Sequence, residues 1–213
     1  MKILELFSGT RSIGKVAEGR GHEVYSIDYD EQHHADWHAD LEFVTSQDII
    51  ERFGKPDMIW ASPDCTTYSI AGIRFHRYKD LDTGSLNPVS DYAKKCDRVN
   101  KNILKLIEEL QPKVYFIENP RGGLRKMDFM QSLNLYTVTY CQYGDFRMKP
   151  TDIWTNHPNP NFKPMCKNGD PCHVSAPRGS STGTQGMKSK VDKSRIPEML
   201  CEHVMLISEE MKQ

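Results

Sequence analysis

No apolar stretch in this 213-residue chain approaches the ~20 residues needed to cross a bilayer. The leading residues Met1–Phe7 meet an acid at Glu5, so they lack the uninterrupted apolar core of a secretion signal. No CxxC pair occurs among the six cysteines, whose irregular spacing points to reduced thiols in a cytoplasmic protein rather than a disulfide framework. There is no internal repeat and no low-complexity tract. Neither sign of charge predominates: a formal net charge of -1 argues against a general polyanion binder while allowing a local basic face.

Two such faces are present. Between Lys163 and Arg195 stand Lys167, Arg178, Lys188, Lys190 and Lys193, opposed only by Asp170 and Asp192. Arg74, Arg77 and Lys79 interleave with Phe75, His76 and Tyr78, a mixture suited to phosphate contact and base stacking. Solvated loops are the competing explanation for both runs.

The length fits one domain with a substantial core. Ile3–Phe7 reads as a strand that turns at Ser8-Gly9-Thr10 into a helix capped by Thr10 and running to about Arg20. Strands follow at 22–27, 58–61, 114–117, 135–140 and around 153–154, with a helix near 46–53. Tyr92, Cys96, Val99, Ile103, Leu106 and Leu110 recur at three- and four-residue steps, which predicts a long amphipathic helix stopped by Pro112. Strands alternating with helices predict an α/β fold, a mainly parallel sheet covered on both faces. Residues 157–190, rich in Pro, Asn, Gly, Ser and Lys, break the rhythm as a long loop or very small subdomain. A helix over 196–211 follows, with Pro197 in its first turn. The expected division is therefore 1–156, 157–190 and 191–213.

Chemistry gathers where apolar strands end. Met58-Ile59-Trp60-Ala61 leads through Pro63 and Asp64 to Cys65, and Val114-Tyr115-Phe116-Ile117 leads directly to Glu118. In open parallel sheets, ligands bind outside those strand ends, so a thiol and a carboxyl group meet in one crevice. Such a pair supports nucleophilic and acid–base chemistry on one substrate. The turn Phe7-Ser8-Gly9-Thr10 approaches a ligand closely, and the helix after it offers N–H groups to an anionic end. Asp28, at the end of the second strand, is placed for ribose hydroxyls, and Asp40 for an adenine amino group. Cys166, Cys172 and His173, with His157 upstream, were weighed as zinc ligands. Their spacing is not that of a CxxC site and adjacent residues rarely share one metal, so no metal is expected. His33, His34 and His38 read as a polar surface turn.

Together these segments resemble the C5-cytosine-specific DNA methyltransferases. Phe7-Ser8-Gly9 is similar to that family's cofactor turn. Ser62-Pro63-Asp64-Cys65-Thr66-Thr67-Tyr68-Ser69 resembles its nucleophile loop, usually Pro-Pro-Cys-Gln followed by Phe-Ser. Phe116-Ile117-Glu118-Asn119-Pro120 resembles its Glu-Asn-Val segment, Tyr143–Lys149 the strand whose arginines face the base, and Lys193–Pro197 the last motif. The resemblance implies a Rossmann-like fold, S-adenosylmethionine as cofactor, and DNA as partner, with RNA left open. It implies cofactor contacts from Phe7, Ser8, Gly9, Thr10, Asp28, Asp40, Pro63 and Ile196. It further implies catalysis by Cys65 on a flipped-out cytosine, Glu118 at its N3, and Arg147, with Lys149, holding the base or the thiol loop. Asp64 and Thr66 depart from the usual proline and glutamine, and an acid beside the thiol should raise its pKa. The reduced 157–190 segment implies weak or short sequence preference. A catalytically weak nucleic-acid-binding protein is the reading from another class.

Overall fold

The computed structural model describes residues 1–175 and 189–211; Arg178 and Lys188 lie outside the described residues. In chain order the elements are β1 (Lys2–Leu6), α1 (Ser12–Gly19), β2 (Glu23–Asp28), β3 (Trp37–His38), α2 (Ser46–Arg52), β4 (Met58–Ala61), α3 (Ile73–His76), β5 (Arg77–Lys79), β6 (Leu86–Pro88), α4 (Asp91–Leu110), β7 (Val114–Pro120), β8 (Leu135–Thr139), β9 (Pro150–Thr155), α5 (Lys190–Ser194) and α6 (Glu198–Glu210). Seven strands form one sheet in the order β3-β2-β1-β4-β7-β9-β8. Only β9 runs against its neighbours. The expected α/β fold with a mainly parallel, Rossmann-like sheet is what the chain forms. No helix among the described residues is long and apolar enough to cross a membrane.

Alternation along the central strands assigns side chains to two cores. On β1 and β4, Leu4, Leu6, Ile59 and Ala61 pack toward α4, whereas Ile3, Met58 and Trp60 pack toward α1 and α6. Both faces are thus covered, which explains why β4 reads as a continuous apolar run. The strand order reverses between β1 and β4, the switch point at which α/β sheets open a crevice. Helix α6 returns to α1: Arg20 bonds Glu202 and Glu209, and His22 bonds Glu209 at 2.7 Å.

Helix starts follow local chemistry in two cases and tertiary chemistry in a third. Thr45 and Asp48 form a reciprocal capping box on α2, and the Ser90 hydroxyl caps α4 at Ala93 N–H. Thr10 does not cap α1; its hydroxyl lies 2.7 Å from that of Ser12. Instead the buried carboxylate of Glu5 accepts from the N–H groups of Ile13 and Gly14, each at 3.2 Å. Pro197 precedes α6 as its N-cap rather than lying in its first turn.

Arg77 corrects a sequence expectation. It is buried, not part of a basic surface, and donates to Asp97 at 2.7 and 3.1 Å and to Thr67 at 3.0 Å. Its guanidinium sits 4.1 Å from the Tyr68 ring centroid, while the Tyr68 hydroxyl donates to Asp97 at 2.6 Å. This network fixes the loop after β4 against α4. Removing one partner of a buried pair leaves an uncompensated charge. Asp97→Ala should therefore lose about 3–5 kcal/mol of stability in urea denaturation.

Burial pushes the Glu5 carboxyl up to about 7, although the two α1 N–H groups pull the other way. The folded state then holds a proton that the unfolded state releases from about pH 4.5 upward. This group's contribution to stability therefore falls as pH rises from about 4.5 to about 7. Denaturation midpoints of Glu5→Gln across that window should lack this decline, and a decline equal to wild type would refute the assignment.

Candidate active site

The turn after β1 is sharp: Phe7 and Gly9 both take positive φ, 58° and 46°. This geometry costs a non-glycine residue, so Gly9 suits the turn. Gly9 N–H donates to Asp28 Oδ2 at 2.8 Å, and Asp30 N–H to Asp28 Oδ1 at 3.0 Å. Asp28 thereby locks the β1 turn to the end of β2. The N–H groups expected to be free for a ligand are accordingly in part employed, by Asp28 and by Glu5. Ser8 keeps a buried hydroxyl with no hydrogen-bond partner among the described residues. The Ser12 hydroxyl contacts Thr10 and accepts from Ile196 N–H at 3.3 Å, so the segment before α6 buttresses the same turn.

Beside the turn opens a cleft of about 640 Å³, its mouth included. Phe7, Leu41, Pro63 and Val99 give it apolar walls; Tyr29, Asp40, Asp64, Tyr92 and Lys95 give it polar ones. Of the eight expected cofactor contacts, Phe7, Asp40 and Pro63 line the cleft. Ser8, Gly9, Thr10, Asp28 and Ile196 do not line it. Three lining residues escaped sequence reading. Tyr29 directly follows Asp28 and leaves 65% of its surface exposed, too much for a core aromatic. Tyr92 and Lys95 lie one turn apart on α4, where the apolar periodicity drew Tyr92 into the core stripe. Lys95 pairs with Asp40 at 2.5 Å. Burial raises the Asp40 carboxyl, but the bonds from Lys95 and Glu42 N–H outweigh it and hold the group below its ordinary value.

The thiol and the carboxyl group come together as expected. β4 pairs in parallel with β7, Ala61 opposite Ile117, so the chain leaving β4 runs beside Glu118, which stays in β7 against Ile153 of β9. Asn119 Nδ2 donates to Pro63 O at 2.8 Å and clamps that chain to β7. Glu118 is buried and accepts from the Tyr140 hydroxyl at 3.0 Å. Cys65 starts a tight turn, its carbonyl accepting from Tyr68 and Ser69 N–H. Burial, followed by the charges of Asp64 and Glu118, pushes its thiol up to about 11, with Lys149 opposing. Asp64 does not meet Arg147; its oxygens accept from Thr66 N–H at 2.6 Å and the Tyr92 hydroxyl at 2.9 Å.

Arg147 is misassigned by the sequence reading. All five of its N–H donors are engaged, by Asp145 and by the carbonyls of Asp192, Lys193 and Arg195. None is left for a base. Arg147 instead clamps α5 to the turn before β9, and Lys149 is the cation that acts on Cys65 and Glu118. Burial lowers the Lys149 ammonium despite the attraction of Glu118. On the surface nearby, Ile70, Phe75 and Tyr78 are exposed with Arg74, whose guanidinium lies 4.5 Å from the Phe75 ring centroid. His157, once weighed with the cysteines, lies apart from them; its Nε2 is 3.3 Å from Ile207 O.

No family profile matches the chain. The probable DNA (cytosine-5)-methyltransferase of Frog virus 3 (isolate Goorha) is 32% identical over 162 residues, 73% of this chain and 71% of that protein. A crystal structure of a Spodoptera frugiperda DNMT2 triple mutant aligns with 78% of this chain at 16% identity and a TM-score of 0.47. The chain spans about half of that structure, 53%. With the viral relative matched over more than two thirds of both lengths, the chain belongs to the DNA (cytosine-5)-methyltransferase family.

Proposed function

We propose that this chain transfers a methyl group from S-adenosylmethionine to C5 of cytosine in DNA, through a covalent bond between Cys65 and C6. The observation that carries the reading is the β4–β7 pairing, which sets Cys65 and Glu118 at adjacent strand exits beside the cleft. The residues present fit the cofactor. The exposed Tyr29 ring offers a face for an adenine, Asp40 an acceptor at the wall, and the unpartnered Ser8 hydroxyl a donor for a polar tail. When bound, S-adenosylmethionine supplies an electrophilic methyl group.

The chain's own residues prepare the base. A cytosine inside a duplex hides C6, so it must be taken out of the stack. The exposed Phe75, Tyr78 and Ile70 beside Arg74 supply stacking and phosphate contact near the site. Cys65 thiolate adds to C6 while Glu118 shares a proton with N3, which makes C5 nucleophilic. Lys149 offsets the charge that accumulates between them. A base then removes the C5 proton, and elimination restores the Cys65 thiolate and the ring's double bond. Residues 1–156 carry this core, 157–190 the small recognition segment, and 191–213 the return to the cofactor turn.

A thiol at about 11 leaves roughly one part in ten thousand ionised at pH 7. Glu118 is one cause of that rise, so a proton taken up from solvent and held between Glu118 and cytosine N3 also removes a charge opposing the thiolate. Attack is thus favoured once cytosine is seated. The name of the viral relative favours DNA over RNA as the acceptor.

Two measurements test this. Labelled S-adenosylmethionine incubated with DNA should give labelled DNA, and Cys65→Ala should abolish transfer; label in RNA alone would replace the acceptor. DNA containing 5-fluorocytosine should trap an adduct at Cys65, and an adduct at another cysteine would sink the assignment. Separately, iodoacetamide alkylation of Cys65 in the free protein should rise about tenfold per pH unit from 7 to 9. Asp64→Asn should move that curve to lower pH, and an unchanged curve would remove Asp64 as a restraint on the thiol.

A further inference from the structure

Cys141, Cys166, Cys172 and His173 bring three sulfurs and a ring nitrogen within 4.8 Å of one another. Cys141 Sγ stands 3.0 Å from Cys166 Sγ and 3.6 Å from Cys172 Sγ. His173 Nδ1 is 3.7 Å from both Cys166 and Cys172 Sγ. We propose that these four residues form a structural zinc site that pins residues 163–174 to the core.

The geometry supports a metal over a disulfide. A tetrahedron with Zn–S of about 2.3 Å and Zn–N of about 2.0 Å places its ligand atoms roughly 3.5–3.8 Å apart. Three of these four separations, at 3.6, 3.7 and 3.7 Å, match that spacing. The fourth, 3.0 Å, is well beyond the ~2.05 Å of a disulfide and needs only modest opening. All the cysteines are free. The Nε2 of His173 is buried with no partner among the described residues, so the ring's polar contacts are the two sulfurs. Sulfur and imidazole in a closed set of four select zinc over harder cations.

The segment also needs such a tie. Between residues 163 and 175 only Cys166 is buried, and Met165 and Val174 leave 36% and 61% of their surface to solvent. So little apolar burial does not hold a 13-residue loop in one place. Four bonds guide it onto the core: Lys163 N–H to the Tyr143 hydroxyl, Lys163 Nζ to Gln142 O, Cys166 N–H to the Thr139 hydroxyl, and Val174 N–H to Phe146 O. Each acceptor lies on the stretch from the end of β8 to Phe146, next to the Arg147 clamp. Zinc would release the three thiol protons to solvent and lock the segment onto the turn that precedes Lys149.

Linear spacing missed the site because its fourth ligand, Cys141, comes from the turn after β8. The inference does not rest on the proposed methyl transfer, and its readout is metal content. The full chain, purified without chelator, should carry about one zinc by elemental mass spectrometry. The double variant Cys166→Ser, Cys172→Ser should carry under about a tenth of that, while Cys201→Ser retains it. Cobalt added to the zinc-free wild-type chain should give the intense near-ultraviolet thiolate-to-metal band, which serves even if the double variant does not fold. Wild-type protein that neither carries nor takes up zinc or cobalt would overturn the proposal. Stoichiometric zinc in the folded double variant, or a Cys141–Cys166 disulfide by mass, would do so equally.

Discussion

The parallel pairing of β4 with β7 is the constraint on which the site depends. Its register brings Ala61 opposite Ile117, so the next residues on both strands emerge together at the sheet's carboxyl edge. Beyond that point β7 continues against β9 through Pro120, while the chain leaving β4 has no ladder of its own. The Asn119–Pro63 bond takes over, buried and directed from the Glu118 strand to the Cys65 loop. A second restraint comes from below, where Arg77, Asp97 and Tyr68 fix the rest of the loop to α4. The thiol is therefore presented by a loop whose two ends are tied to different layers of the fold.

That position creates an electrostatic conflict. Burial and two carboxylates oppose the thiolate, and one buried cation, Lys149, favours it. Because Lys149 is itself pushed toward neutrality by burial, the attraction of Glu118 and Cys65 is what keeps its charge in place. A change in charge at Glu118 is therefore felt at the sulfur. Tyr140 donates to Glu118 and Asn119 holds its strand, so the carboxyl group has little freedom to swing away.

Much of this was legible in the chain. β4 and β7 are buried on both faces, so their sequences carry short unbroken apolar runs, and the polar residues after each run mark the crevice. α4 was equally plain from its apolar stripe. What could not be read was the choice of partner. Arg147 lies in a segment resembling a base-facing strand, yet Asp145, two residues away, and three carbonyls from a distant segment claim every donor. Arg77 sits in a run of basic and aromatic residues, but α4 brings Asp97 beneath it. Thr10 has the chemistry of a cap, and a carboxylate from the preceding strand displaces it. In each case a contact between residues far apart in sequence, or a competing local acid, outweighed the local signal.

Glu5 shows why the turn after β1 is less available to anions than its helix suggests. An N-terminal helical turn attracts negative charge through its unpaired N–H groups. Here a buried carboxyl from β1 already takes two of them, and a Cβ on Gly14 would stand 2.5 Å from its Oε2, so the glycine is what leaves the group room to approach. Asp28 takes the N–H of Gly9. The turn's remaining unpartnered polar atom is the Ser8 hydroxyl, a neutral group. Recognition at this end of the cleft therefore rests on shape and on one hydroxyl more than on helix charge. The exposed Tyr29 ring and the paired Asp40 then carry correspondingly more of the discrimination at the other end.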